Sequence, residues 1–155
     1  MRAAEERLLG VSPLKHVMLQ YDRSLLLPAG LWLEFGVAEG ATMGLIAKHI
    51  PSHVADGVLI GTKGEESNGR VFGFDSFIGL PEDWRPGFDT GHFERQGGAL
   101  PSFAPEAEPH IRLVKGWFEE TLPIFLEQHV GHVALLHLDS DIYSAAIYVL
   151  RSLIR

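Results

Sequence analysis

The stretch LWLEFGVAEGAT, Leu31 to Thr42, decides the fold. Leu31 to Val37 is apolar apart from one glutamate and one glycine and predicts a buried strand. A turn over Ala38 to Ala41 carries Gly40, and helical spacing then runs from about Thr42 to Ile50, where Pro51 stops it. A strand, a glycine turn and a helix make one repeat unit of a parallel sheet. Three more strands follow at Arg70 to Phe74, Ile111 to Lys115 and Val133 to Leu138. After the third comes Gly116 and the helix-like ETLPIFLEQH. After the fourth, Tyr143 to Ile154 reads as a covering helix with its capping region near Asp141. Strands alternating with helices predict an α/β fold with a parallel sheet covered on both faces.

Outside this alternation, Arg2 to Leu9 and Pro13 to Leu27 carry helical spacing. Ser12 stands as N-cap of the second segment and Pro13 at its first position. Pro51 to Gly69 exceeds an ordinary connection, and Val58 to Ile60 between glycines suggests an inserted strand or hairpin. Phe77 to His110, with PEDWRPGFDTGHFERQGG, lacks either periodicity and predicts a lid or binding loop. We divide the chain into N-terminal helices over 1–30 and a core over 31–155, together one domain, with the lid at about 77–110.

Composition narrows the function. With 46% apolar and 21% charged residues among 155, the chain can bury a real core. A net charge of −7 lacks the basic footprint of nucleic-acid binding and favours a small-molecule partner. There is no cysteine, so thiolate metal sites and disulfides are excluded. No apolar run approaches the ~20 residues that span a bilayer. MRAAEERLLG lacks the apolar centre of a signal peptide, which predicts a cytoplasmic protein with no membrane partner.

In parallel α/β sheets, ligands sit beyond the carboxyl ends of the strands. Glu34, Gly36 and Gly40 follow or end the first strand. The glycines let the chain turn tightly and let a ligand approach the helix N-terminus, although ordinary strand-to-helix turning would use them too. A dinucleotide site would want a glycine where Glu34 stands, and glutamate would repel a pyrophosphate. It suits a ligand with a positive charge. Asp75, at the end of the second strand, suits the two hydroxyls of a ribose. Two such acids fit a nucleoside with a cationic tail, and disfavour an NAD-linked oxidoreductase.

Here the sequence resembles the class I S-adenosylmethionine (SAM)-dependent methyltransferases. Within them it is similar to the macrocin O-methyltransferase (TylF-like) group. The resemblance is carried by LEFGVAEGAT, VFGFDSFIGLPEDW, LVKGWFEETLP and LHLDSDIYS, in that order. It implies a Rossmann-like sheet of order 3-2-1-4 for the part present, and methyl transfer from SAM to a small-molecule hydroxyl. It implies that Glu34, Gly36, Gly40, Thr42, Asp75 and Ser76 line the SAM pocket, with Gly116, Trp117 and Phe118 near the adenine. Trp117 and Phe118 also read as core aromatics anchoring a loop. Asp139 is implied as a catalytic residue and a magnesium ligand. Asp141 stays open between metal ligand and helix cap. His137 shares the face of Asp139 and reads as a general base or as a structural histidine. His129 and His132 read as solvated loop residues. Trp84, Arg85, His92 and Phe93 in the lid either touch the methyl acceptor or pack the lid.

The full class I fold has seven strands, so the resemblance implies a C-terminally incomplete domain whose fourth strand is left as a sheet edge. Such an edge predicts pairing with another chain, a homo-oligomer among the possibilities. A non-catalytic SAM- or nucleoside-binding module, or an inactive fragment, is the alternative function.

Overall fold

The computed structural model of the chain describes residues 30–48, 70–105 and 107–154. The expected helices before residue 30, with Ser12 and Pro13, and the insertion around Val58 to Ile60 lie outside these residues. The described part runs β1 (Leu31–Phe35), α1 (Ala41–Lys48), β2 (Val71–Asp75), β3 (Ile111–Lys115), α2 (Phe118–Gln128), β4 (Val133–Leu138) and α3 (Tyr143–Leu153). The four strands form one parallel sheet in the order β3-β2-β1-β4. The α/β class and the strand order are those expected.

β1 stops two residues before the expected Val37. Gly36 turns at φ +88°, and the N–H groups of Val37 and Ala38 leave the ladder for the Asp75 carboxylate. Gly36 is also where β4 passes closest: a Cβ there would stand 2.0 Å from the carbonyl oxygen of Asp139. Only glycine meets both demands, the left-handed turn and the close approach. β2 runs one residue later than expected, so that Asp75 is still paired with Lys115 while its side chain turns back to β1.

β1 is buried along its whole length, as a central strand of a parallel sheet must be. Trp32, Val37, Met43, Ile46 and Val71 pack on the α1 side. Leu31, Leu33, Phe35, Phe72 and Phe74 pack on the other, against Leu122 and Phe125 of α2 and Val149 of α3. Phe35 and Phe74 stack at 4.6 Å between centroids, and Phe118 meets Phe35 edge-on. Rings in offset or edge contact add to the area they bury.

Residues 77–110 form the long connection expected, broken only by two single 3₁₀ turns at Gln96–Gly98 and Glu108–His110 and a bridge between Arg85 and Phe88. The connection is fastened to the core. Lys115 Nζ donates to the Gly98 carbonyl at 2.6 Å, Ser144 Oγ donates to Glu82 at 3.1 Å, and Phe103 covers Gly40. Trp84, Arg85, Phe88, His92 and Phe93 cluster together, with the Arg85 guanidinium 3.9 Å from the Trp84 ring centre, and Trp84 and Phe88 also pack against Leu80, Ile142 and Ala145.

Candidate functional site

A cavity of about 900 Å³ opens at the carboxyl ends of the strands. It is bounded by the Gly36–Thr42 turn, the start of the lid after Asp75, the beginning of α2, and the Asp139–Asp141 segment after β4. Of the residues singled out in the sequence, Gly36, Thr42, Asp75, Ser76, Phe93, Trp117, Phe118, Asp139 and Asp141 line it, whereas the lid residues Trp84, Arg85 and His92 do not. Nor do Glu34, Gly40, Gly116 and His137.

Asp75 is the centre of this end of the sheet. Its Oδ2 accepts from the N–H of Val37 at 2.8 Å and of Ala38 at 2.9 Å, and its Oδ1 accepts from the N–H of Phe77 at 2.7 Å. A carboxylate with three backbone donors locks the β1–α1 turn to the lid's first residues. Ser76 continues the same turn, donating to the Gly79 carbonyl and accepting from the N–H of Ile78.

Glu34 lies beneath the cavity, fully buried. Its Oε1 accepts from the Thr42 hydroxyl and faces His137 Nδ1 at 3.3 Å, while its Oε2 has no partner among the described residues. The positive ligand charge expected at Glu34 therefore finds no exposed carboxylate there, and Thr42 alone of the three reaches the cavity. His137 Nδ1 is turned to Glu34, and the residue is not among those that line the cavity. The hydrogen bond to Glu34 raises the His137 pKa, burial opposes this, and the charges of Glu34 and Asp139 add to it.

Asp139 leaves β4 with its N–H on the Phe35 carbonyl, 2.9 Å away. Asp141 sits at φ +59°, the middle of a tight turn in which the N–H of Ile142 reaches the Ser140 carbonyl. The cap of α3 is thus Ile142, without a side-chain hydrogen bond, and Asp141 does not cap the helix. The left-handed turn points its carboxylate out of capping reach and leaves it on the cavity rim. Partial withdrawal from water raises the Asp141 pKa, as does the charge of Asp139, while Arg85 and His92 act in the opposite sense. Among the described residues no three His, Cys, Asp or Glu side chains gather to hold a metal.

Trp117 and Phe118 both face the cavity, and Phe118 also serves the core, so the two readings of this pair coexist in one residue. His129 is a departure from expectation: it is stacked on Phe125 at 4.0 Å, because the end of α2 turns its ring onto that face. His132 is exposed.

Sequence reading passed over Glu39, Glu82, Arg95, Glu119, Glu120 and Ser144, which line the cavity too. The signal available was charge. Glu39, Asp75, Glu82, Glu119, Glu120, Asp139 and Asp141 make seven carboxylates around one opening, and Arg95 is the sole cationic side chain among the described residues that line it.

Residues 105–155 match the family model described as Macrocin-O-methyltransferase (TylF). The chain is similar to that family. The TylF-like segment runs from the end of the lid through α3, and so holds Trp117, Phe118, Asp139 and Asp141. A crystal structure of CalS11, described as a calicheamicin methyltransferase, superposes with a TM-score of 0.60 at 24% identity, covering 88% of this chain and 58% of that one. The apo structure of CalS11, described as a TDP-rhamnose 3′-O-methyltransferase of calicheamicin biosynthesis, gives 0.52 at 24% identity, over 89% and 55%. At this identity the likeness shows the fold. The chain spans a little more than half the length of these solved structures. A search of curated proteins finds no match. No described helix is long and apolar enough to cross a membrane.

Proposed function

We propose that the chain is the SAM-binding part of a methyltransferase that transfers a methyl group to a hydroxyl of a small molecule. The observation that carries the reading is a TylF-like segment that delivers Asp139, Asp141, Trp117 and Phe118 to one cavity at the carboxyl edge of the sheet. Asp75 and the turn it locks form part of the cavity wall, the wall against which a nucleoside would lie. Trp117 and Phe118, which line the cavity, are the rings against which a base would pack.

In the transfer, the acceptor oxygen attacks the sulfonium methyl carbon in line. The carbon–sulfur bond breaks, sulfur keeps the electron pair, and S-adenosylhomocysteine (SAH) leaves. The enzyme's main contribution is to hold oxygen, carbon and sulfur in line. The hydroxyl proton passes to a carboxylate that lines the cavity after β4, Asp139 or Asp141. Asp139 and Asp141 are also the residues that would hold a magnesium ion. One or two carboxylates with waters suffice for that ion, which when bound supplies positive charge beside the acceptor oxygen. A sugar hydroxyl is the acceptor class we favour, by analogy with the TDP-rhamnose activity ascribed to CalS11. We place the protein in the cytoplasm, with a homo-oligomer formed along the β4 edge as the assembly to look for.

Calorimetric titration with SAM, SAH and NAD tests the cofactor. SAM and SAH should bind and Asp75→Ala should weaken both; NAD binding as tightly as SAM overturns the reading. Methyl transfer from labelled SAM to nucleotide sugars should fall on treatment with a chelator and in Asp139→Asn. Activity indifferent to both would remove the metal from the proposal and leave the transfer itself.

A further inference from the structure

The cavity wall is acidic, yet the amino-acid tail of SAM ends in a carboxylate. That anion needs a cationic partner, and among the described lining residues Arg95 is the sole candidate. Its position is fixed. The Arg95 N–H bonds the Phe77 carbonyl at 3.2 Å, two residues after Asp75, and its Nε donates to the Ala99 carbonyl at 2.9 Å. Most of the side chain is shielded, at 19% exposure, so its charge is felt strongly within the cavity.

Among the described residues the guanidinium has one charged partner: Nη1 forms an ion pair with the Glu39 carboxylate. Glu39 itself is 81% exposed and would be well hydrated if released. An ion pair with so exposed a carboxylate contributes little, because water competes for that carboxylate. A ligand carboxylate could take two of the guanidinium's donors side by side, which Glu39 does not.

From this we infer that Arg95 is the specificity residue for the carboxylate of the bound ligand's amino-acid tail, exchanging Glu39 for it when the ligand enters. The inference rests on the SAM reading of the cavity. It also gives the lid a task, since Arg95 is the lid residue that would carry a charge-dependent contact to the cofactor. Glu39 then acts as a stand-in anion that keeps the guanidinium in place until the ligand enters.

The test compares SAH with its decarboxylated analogue, which keeps the adenosine, thioether and amine. Binding of each is measured by calorimetry to the wild-type chain, Arg95→Met, Arg95→Lys and Glu39→Gln. Arg95→Met should weaken SAH by about tenfold or more and leave the decarboxylated analogue within about twofold, given the strength of charge-assisted hydrogen bonds. Arg95→Lys should fall between. Glu39→Gln, which removes the competitor, should tighten SAH. Equal losses for both ligands would mean that Arg95 only holds the lid, and no loss for either would mean that it does not meet the ligand; each overturns the inference. A wild-type chain that binds neither ligand would instead overturn the SAM reading itself. Thermal unfolding of the variants separates a folding defect, which would strike both ligands alike, from the selective loss expected.

Discussion

At the residue scale, His137 has the sharpest consequence. It lies on β4, faces a fully buried carboxylate on β1, and the side chain is 22% exposed. The Glu34 hydrogen bond raises its pKa above the ordinary 6.5. A histidine whose folded pKa exceeds its unfolded one adds stability that is fully present below the unfolded value and is lost as pH rises through the folded value. The wild-type chain should therefore lose unfolding free energy over the pH range that begins near the ordinary 6.5 and extends upward, a loss that His137→Gln does not show. Denaturant titrations across that range would show it in the difference between the two proteins. A difference that stays flat with pH would mean that His137 does not exchange a proton against Glu34. The sequence placed His137 and Asp139 on one face of the strand and stopped there. What it did not show was that the face is occupied by Glu34 of the neighbouring strand, a pairing set by the β1–β4 register.

At the element scale, α2 carries a proline in its second turn. Pro123 has no N–H for the Glu119 carbonyl four residues earlier. The hydroxyl of Tyr148, on α3, donates to that same carbonyl at 3.4 Å. Two elements that already share the apolar core around Leu122, Phe125 and Val149 are thus joined by a polar contact at the point where one has a vacancy in its ladder. Tyr148→Phe should cost about 1 kcal/mol, the usual worth of one such bond. In a Pro123→Ala background the helix regains its own donor, and the cost of Tyr148→Phe should shrink towards zero. A double-mutant cycle by denaturant unfolding measures this. The same loss in both backgrounds would show that the tyrosine contact does not answer the proline. The helix itself was legible in ETLPIFLEQH despite the proline, because its apolar spacing survives; it begins two residues earlier, at Phe118. The boundaries that shifted are those where a side chain from another element captures backbone donors, as Asp75 does at the end of β1.

At the scale of the whole molecule, the four strand positions could be read from apolar runs ending in glycines and acids, since a parallel sheet leaves that pattern at every strand, whereas the strand order was what the family resemblance implied. The cavity's lining could be read only in part. Residues just after strands were visible as Asp75 and Asp139, whereas Glu39, Glu82 and Arg95 come from turns and a lid whose paths no periodicity encodes. Their assembly has an electrostatic consequence for the net charge of −7. Seven carboxylates face one opening against one guanidinium, so the cavity favours cations. SAM carries a sulfonium charge that SAH lacks, and the two are otherwise nearly the same shape. SAM should accordingly bind more tightly than SAH at low ionic strength. Raising salt from about 50 to 500 mM shortens the screening length from over 10 Å to under 5 Å and should erase much of that preference. Calorimetric titrations of both ligands at the two salt concentrations provide the measurement. If the SAM-to-SAH ratio is near one at low salt, or does not change with salt, the carboxylates are not acting on the sulfonium, and the discrimination between donor and spent product must come from contacts with the methyl group instead.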